Sequence, residues 1–163
     1  MSEALWTASI LEGIRARLAA RLETVLGLIA ADGGETVAAP RVFEVRRNID
    51  DVGQLPGVFV QTSGETETEF LMPSAYRLHI PLRVTSIVAP EANPTDPDLC
   101  ARTYNRGVIN VLTETATVTA IEGLFFVGEV ESRIEEAGEG ARKWRRSSIV
   151  EATLYVATTR ERT

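Results

Sequence analysis

Few side chains in this sequence are of the types that carry out catalysis. The chain has one histidine, His79, and one cysteine, Cys100. Hydrolytic triads need a histidine base, or a lysine or amine in its place. His79 alternates with apolar residues, which predicts a surface histidine on the solvent-facing side of a strand, and Cys100 is expected to be a small buried residue. We therefore predict no catalytic residues and a protein that is not an enzyme.

Sites for phosphate, cofactors or metal ions are not predicted either. The glycine pairs at 33–34 and 138–140 lack the spacing of nucleotide-binding loops and are typical of turns. A single cysteine rules out both a paired-cysteine zinc site and an intramolecular disulfide. Glu65, Glu67 and Glu69 would put three carboxylates on one face of an extended chain. No calcium-loop spacing or turn glycine accompanies them, so we expect a solvated loop or strand edge.

The most unusual local feature is a basic run around a tryptophan. It consists of Arg142, Lys143, Trp144, Arg145 and Arg146. Such a run could contact phosphates and stack on a nucleic-acid base. It could equally dock on an acidic protein, because Trp and Arg are frequent interface anchors. The third interpretation is a hairpin arm whose cations balance the nearby Glu135, Glu136 and Glu139.

The composition indicates one acidic globular domain spanning residues 1–163, with 44% hydrophobic residues. A net charge of −6 and a pI of about 4.9 argue against a freely diffusing nucleic-acid binder. The same acidity would suit a surface past which DNA slides without binding. Residues 1–6 do not resemble a signal peptide, and no apolar run approaches the roughly 18 residues of a membrane helix. We therefore expect a protein that is cytosolic or assembled in a cytosol.

Two amphipathic helices are predicted to position these residues. The first has an apolar stripe from Leu11 to Ile29 and ends at Asp32-Gly33-Gly34. Ser9 and Glu12 fit a capping box, and a start near Ser2 is the alternative. The second is expected to begin with Asp96 as N-cap and Pro97 in the first turn, and to end in the β-branched run 113–119. Its buried stripe comprises Cys100, Tyr104, Val108 and Val111.

Strands are predicted at 40–47, 58–62, 76–84, 124–135 and 144–158. The alternation from Tyr76 to Val84 is the clearest, and Pro81 on its polar face predicts an edge segment or a bulge. The last two strands should form an antiparallel hairpin, with Phe126, Val130 and Ile134 on one face of the first. The fold class expected is α+β, with a mainly antiparallel four- to five-stranded sheet and both helices packed on one face.

The order of these segments resembles that of the tail-terminator, or tail-completion, proteins of long-tailed bacteriophages and related phage-like particles. The resemblance lies in the organisation of most of the chain, and no functional residue is carried over. Its parts, in order, are the helix Leu11–Ile29, the segment Leu55–Val60, the glutamate-rich stretch, the strand Tyr76–Val84, the helix from Pro97, and a closing hairpin that ends in Val150–Val156.

The resemblance implies a ring of six copies at the head-proximal end of the tail tube. Such a ring ends polymerisation of the tube protein, offers a docking surface to the head connector or neck protein, and lets DNA pass through its hole without specific binding. It implies a virion protein of the tail and neck, assembled in the host cytoplasm, with no cofactor and no membrane partner. Our hypothesis is that the stretch Glu65–Glu69 and the basic run 142–146 belong to contacts between subunits.

Other functions remain open on the sequence alone. The chain could be another head–tail connector, neck or baseplate component of the same assembly. It could also be a small dimeric α+β enzyme or ligand-binding domain, which would need an apolar pocket with a few converging polar groups. A deep pocket around His79 or Tyr104 would favour that alternative. A third alternative is a nucleic-acid-binding module that uses Trp144, which would bind DNA with strong salt dependence.

Overall fold

The computed structural model describes residues 3–46, 56–72, 75–88, 97–137 and 145–159. This part of the chain is an α+β fold, as predicted. Its helices are α1 (Glu3–Ala31), α2 (Pro97–Leu112) and α3 (Thr115–Ala120). Its strands are β1 (Val42–Val45), β2 (Gly57–Thr62), β3 (Glu67–Met72), β4 (Ala75–Val88), β5 (Leu124–Ala137) and β6 (Arg145–Thr159).

The six described strands form one sheet, in the order β1-β2-β4-β6-β5, with β3 paired to β4 beside that path. Strands β1 and β2 are parallel, and the other four pairs are antiparallel. The sheet is therefore mainly antiparallel, but it is mixed and larger than the four to five strands predicted. The strand that the prediction missed is β3, because its first half is Glu-Thr-Glu and its second half is the continuous apolar run Phe70–Met72, so that no alternation of polar and apolar residues reveals it.

Pro81 lies in β4 at the point where the neighbouring strand changes. On that side β4 pairs with β2 from Leu82 onward and with β3 up to His79. The Pro81 carbonyl accepts a hydrogen bond from the Ser63 backbone N–H at 2.9 Å. The N–H and C=O of one residue point to the same side of an antiparallel strand. The N–H that proline lacks would therefore face the gap between the end of β2 and the start of β3. The edge segment predicted at Pro81 is confirmed.

Helix α1 begins earlier than the capping box Ser9–Glu12 predicts, and the alternative start near Ser2 is correct. Trp6 packs partly against the core and Ile10 is buried, so the apolar stripe continues toward the N-terminus. The predicted end is confirmed. The N–H of Gly34 donates to the Ile29 carbonyl (2.9 Å) and that of Gly33 to the Ala30 carbonyl (3.2 Å), with Gly33 at φ 89°, which is a Schellman motif.

Helix α2 begins at Pro97 and buries its predicted stripe, while Asp96 lies outside the described residues. It ends at Leu112, where the β-branched run begins. The run then forms α3, a short helix that was not predicted. Thr117 of α3 is buried and its hydroxyl donates to the Val111 carbonyl (2.5 Å), so a side-chain bond ties α3 to the end of α2.

One hydrophobic core lies between the helices and one face of the sheet, which confirms that both predicted helices pack on the same side. Its largest fully buried members come from α1, α2 and alternate positions of β4 and β6. They include Ile14, Leu18, Leu22, Leu78, Ile80, Leu82, Tyr104, Leu112 and Leu154. Burial of such side chains stabilises the fold by about 1.5–3 kcal/mol each. On the opposite face of the sheet Phe59, Thr85 and Ile149 are buried, whereas Phe125 and Phe126 are exposed.

Strands β5 and β6 form the predicted hairpin, and β5 carries two bulges. Leu124 pairs with Val156 but Phe126 with Tyr155, and a second register shift lies between Gly128 and Glu131. Glu129, in the second bulge, has φ 54°. Each bulge inverts the alternation of faces. Val130 and Ile134 pack against the core as predicted, but Phe126 does not, and its predicted position on their face is wrong.

Candidate protein interface

An aromatic cluster lies on the face of the sheet opposite the helices, with Tyr155 at its centre. The ring centroid of Tyr155 lies 4.8 Å from that of His79, 5.5 Å from that of Phe126 and 6.3 Å from that of Phe125. The register explains this arrangement, because His79 of β4 and Phe126 of β5 are the two cross-strand partners of Tyr155. Aromatic cross-strand pairs stabilise a sheet locally, so the pairing of β4, β6 and β5 holds these rings together.

Two phenylalanines of this cluster are exposed to solvent. The exposed fraction is 44% for Phe125 and 54% for Phe126. The Arg77 guanidinium lies 5.2 Å from the centre of the Phe125 ring, a distance suited to a cation–π interaction. Both phenylalanines are on β5, which ends the path of described strands. Exposed apolar side chains beside an unpaired strand edge are typical of protein contact surfaces.

Four carboxylates surround the aromatic cluster. Glu69 Oε2 lies 3.4 Å from His79 Nε2, and Glu67 Oε2 lies 4.0 Å from His79 Nδ1. Glu129 accepts hydrogen bonds from the hydroxyls of Thr153 (2.9 Å) and Tyr155 (3.3 Å). Of these carboxylates, Glu67 and Glu129, together with Glu65, line a depression of about 220 Å³, which we call the acidic aromatic pocket. Its walls are Glu65, Glu67, His79, Pro81, Glu129, Thr153 and Tyr155.

The acidic aromatic pocket has more negative than positive charge. Arg77 lies 3.9 Å from Glu69, but within the described ranges no lysine or arginine is at ion-pair distance from Glu65 or Glu129. Partial burial, and next the charge of Glu129, raise the pKa of Tyr155 above its ordinary value. The raised pKa favours the neutral phenol, and a bound cation would balance the negative charge of the carboxylates in the pocket.

Farther along the same face, acidic and basic side chains are matched. Glu151 pairs with Arg83 (3.5 Å) and with Arg133, and Arg133 also pairs with Glu135 (2.7 Å). The hydrogen bonds that Arg133 donates to Glu135 and to Glu151 raise the pKa of its guanidinium, and the bond to Glu135 is the largest cause. Such exposed pairs contribute little stability.

The structure brings together one of the two predicted interface groups. Glu65, Glu67 and Glu69 all adjoin His79. Of the two predicted alternatives, a solvated loop or a strand edge, Glu67 and Glu69 lie in strand β3 and Glu65 precedes it. Arg142, Lys143 and Trp144 lie outside the described residues. Arg145 begins β6, and Arg146 Nε lies 2.8 Å from Asp98 of the same chain. That the basic run contacts another subunit remains a prediction.

Tyr155, Phe125 and Glu129 were not among the predicted site residues. Tyr155 was missed because it alternates with the buried residues of β6, as any solvent-facing residue would. Phe125 and Glu129 come to this face through the two bulges of β5. The Phe-Phe pair preceding Gly128 was the one signal in the sequence, because glycine within a strand pattern indicates a bulge.

The pockets bear on the ligand-binding alternative. The pocket at His79 is smaller than the roughly 300–1,000 Å³ typical of small-molecule sites. Tyr104 fills the core, and its hydroxyl donates to the Ala38 carbonyl. A larger groove of about 1010 Å³ runs between α1 and the ends of β1 and β2, with Leu11, Val45 and Gln61 in its lining. It does not include His79 or Tyr104.

Two further searches of the described residues gave negative results. No three histidine, cysteine, aspartate or glutamate side chains in those ranges converge in a way that could hold a metal ion. No helix in the described part of the chain is both long and apolar enough to cross a membrane. Comparison of the chain with protein-family models gave no match, and comparison with curated proteins gave none either.

Proposed function

We propose that this chain is a structural protein of a phage or phage-like tail, which forms a ring at the head-proximal end of the tail tube. The ring ends polymerisation of the tube protein and offers a docking surface to the head connector or neck protein. In this proposal six copies close the ring, DNA passes through it without specific binding, and the protein has no enzymatic activity. It belongs to the tail and neck of the particle and is assembled in the host cytoplasm.

The observation that carries this proposal is the exposure of Phe125 and Phe126 on the outermost described strand. A protein that acts alone gains nothing from two adjacent exposed phenylalanines, and they favour aggregation. A protein that assembles buries them against a partner, where aromatic side chains contribute strongly to binding. The bulges of β5 turn both rings away from the core, which is a costly arrangement unless the rings have a use outside the chain.

The acidic charge and the α+β fold support the same proposal. A net charge of −6 keeps the walls of a channel from binding the DNA that passes through it. A long helix packed against a sheet, with a long closing hairpin, is also the organisation of the tail-terminator proteins that the sequence resembles. The exposed part of the outer face, at Phe125 and Phe126, leaves room for contacts with neighbouring subunits.

The test is to add the purified protein to tubes assembled from the tail tube protein of the same particle. We expect electron microscopy to show the protein at one end of each tube, and tube growth to stop when it is added during assembly. Binding along the tube, at the opposite end or at the neck without stopping growth would indicate another component of the particle. A failure to bind tubes at all would contradict the proposal.

A further inference from the structure

The acidic aromatic pocket and the basic run lie at opposite ends of the β5–β6 hairpin. Arg145, which begins β6, pairs with Ala137 at one end of the hairpin, and Tyr155 pairs with Phe126 near the other. Tyr155 is ten positions after Arg145. At about 3.3 Å per residue, the two positions are separated by about 33 Å.

The basic run of one chain therefore cannot reach the pocket of the same chain. Arg142 precedes Arg145 by three positions, and an extended chain covers at most about 3.3–3.6 Å per residue. The three residues from Arg142 to Arg145 therefore span about 10 Å at most. Even with a fully extended arginine side chain added, a large part of the distance to Tyr155 remains uncovered.

The pocket has the features of a site for a basic side chain. The carboxylates of Glu65 and Glu67 are exposed at its rim, and the aromatic faces of Tyr155 and His79 form its wall. Carboxylates beside aromatic rings bind a guanidinium or ammonium group through ion pairs and cation–π contacts.

We propose that Arg142 and Lys143 of one copy bind in the acidic aromatic pocket of a second copy. This inference rests on the proposed ring function and names its subunit contact. Four of the five residues at 142–146 are cations, which complements the surplus of carboxylates in the pocket. When two different surfaces of the chain are joined in this way from copy to copy, the contact is head-to-tail, the type that closes into a ring or extends into a filament.

A charge exchange between two full-length variants tests this contact. The arm variant carries Arg142→Glu and Lys143→Glu, and the pocket variant carries Glu65→Lys and Glu67→Lys. Glu65 and Glu67 are exposed, so their replacement should leave the fold intact, which circular dichroism checks. The control variant carries Glu23→Lys and Asp32→Lys, two exposed positions on and just after α1 that receive the same change of charge as the pocket variant. Light scattering measures the mass of each protein over a range of concentrations.

We expect the wild-type and control proteins to associate, and each charge variant alone to remain a monomer at concentrations at least tenfold above those at which the wild type associates. An equimolar mixture of the two variants should associate again, because the arm and the pocket of each are then complementary to those of the other. Association of either variant alone at the wild-type concentration would overturn the contact, as would a mixture that stays monomeric.

The same measurements separate this contact from the proposed function. A wild-type protein that stays monomeric at every concentration would overturn the contact, whereas capping of the tail tube would still decide the function. A ring whose assembly is unaffected by the charge changes would overturn the contact and leave the ring in place. A ring that depends on the contact but never caps tubes would support the contact and oppose the tail function.

Discussion

The side chain of Ser148 in β6 donates a hydrogen bond to the side-chain carbonyl of Asn105 in α2, and both residues are buried. The amide nitrogen of Asn105 in turn donates to the Arg133 carbonyl of β5 at 3.2 Å. One side chain of the second helix thus holds both strands of the hairpin. Because buried polar groups without partners are costly, this bridge fixes the helix at one position along the hairpin.

The first prediction concerns this bridge. Asn105→Ala should lower the free energy of unfolding by about 1–3 kcal/mol, because the Ser148 hydroxyl and the Arg133 carbonyl are then buried without partners. Ser148→Ala should have an effect of similar sign, and a double-mutant cycle should show a coupling of about 0.5–3 kcal/mol. Denaturant unfolding provides the measurement. Asn110→Ala, at an exposed position of the same helix, should change stability by less than about 0.5 kcal/mol.

A second prediction uses two leucines of α1. Leu22 is fully buried and Leu28 is 60% exposed. Leu22→Ala should therefore reduce the free energy of unfolding by about 2–5 kcal/mol, since it removes core contacts and leaves a cavity. Leu28→Ala should change it by less than about 0.5 kcal/mol. Equal effects of the two substitutions in thermal unfolding would contradict the assigned face of the helix.

Much of this fold could be predicted from the sequence, because its core elements bury one side. The stripe of α1, the stripe of α2 and the alternation in β4 each repeat with a single period, and each is buried as expected. Strand β3 could not be predicted in the same way. Its polar residues are held by hydrogen bonds to β4, and hydrogen bonding between strands leaves no mark on the hydrophobic pattern.

The candidate interface was only half predictable, for a geometric reason. Glu65, Glu67 and Glu69 were recognised because consecutive alternate residues share a face. Phe126 was assigned to the core because strict alternation along β5 puts it with Val130. The bulge between Gly128 and Glu131 adds one residue and reverses that assignment. A single inserted residue is invisible in a pattern of period two until the partner strand is known.

A third prediction addresses the exposed phenylalanines. Phe125→Ser and Phe126→Ser together should leave the free energy of unfolding of the monomer nearly unchanged, because both rings are largely in water already. If the rings are buried in assembly, the same pair of changes should weaken binding to the tail tube by at least tenfold, measured by co-sedimentation with tubes. Leu28→Ser removes an exposed apolar side chain from the helical side and should leave tube binding unchanged. Equal loss in both variants would mean that general surface hydrophobicity, rather than this patch, drives binding.

The last prediction concerns the ionisation of Tyr155, whose pKa is raised first by partial burial and next by the charge of Glu129. Because the folded-state pKa exceeds the unfolded one, Tyr155 contributes stability that is complete below the ordinary phenol pKa and is lost as pH rises through the folded-state pKa. Ultraviolet titration of the phenolate should therefore show a step above the ordinary tyrosine value that Tyr155→Phe removes. Glu129→Gln should lower that step toward the ordinary value, whereas Glu23→Gln, on the helical side, should not move it. A step that stays unchanged in Glu129→Gln would show that the carboxylate does not face the phenol, and the acidic wall of the pocket would then be wrong.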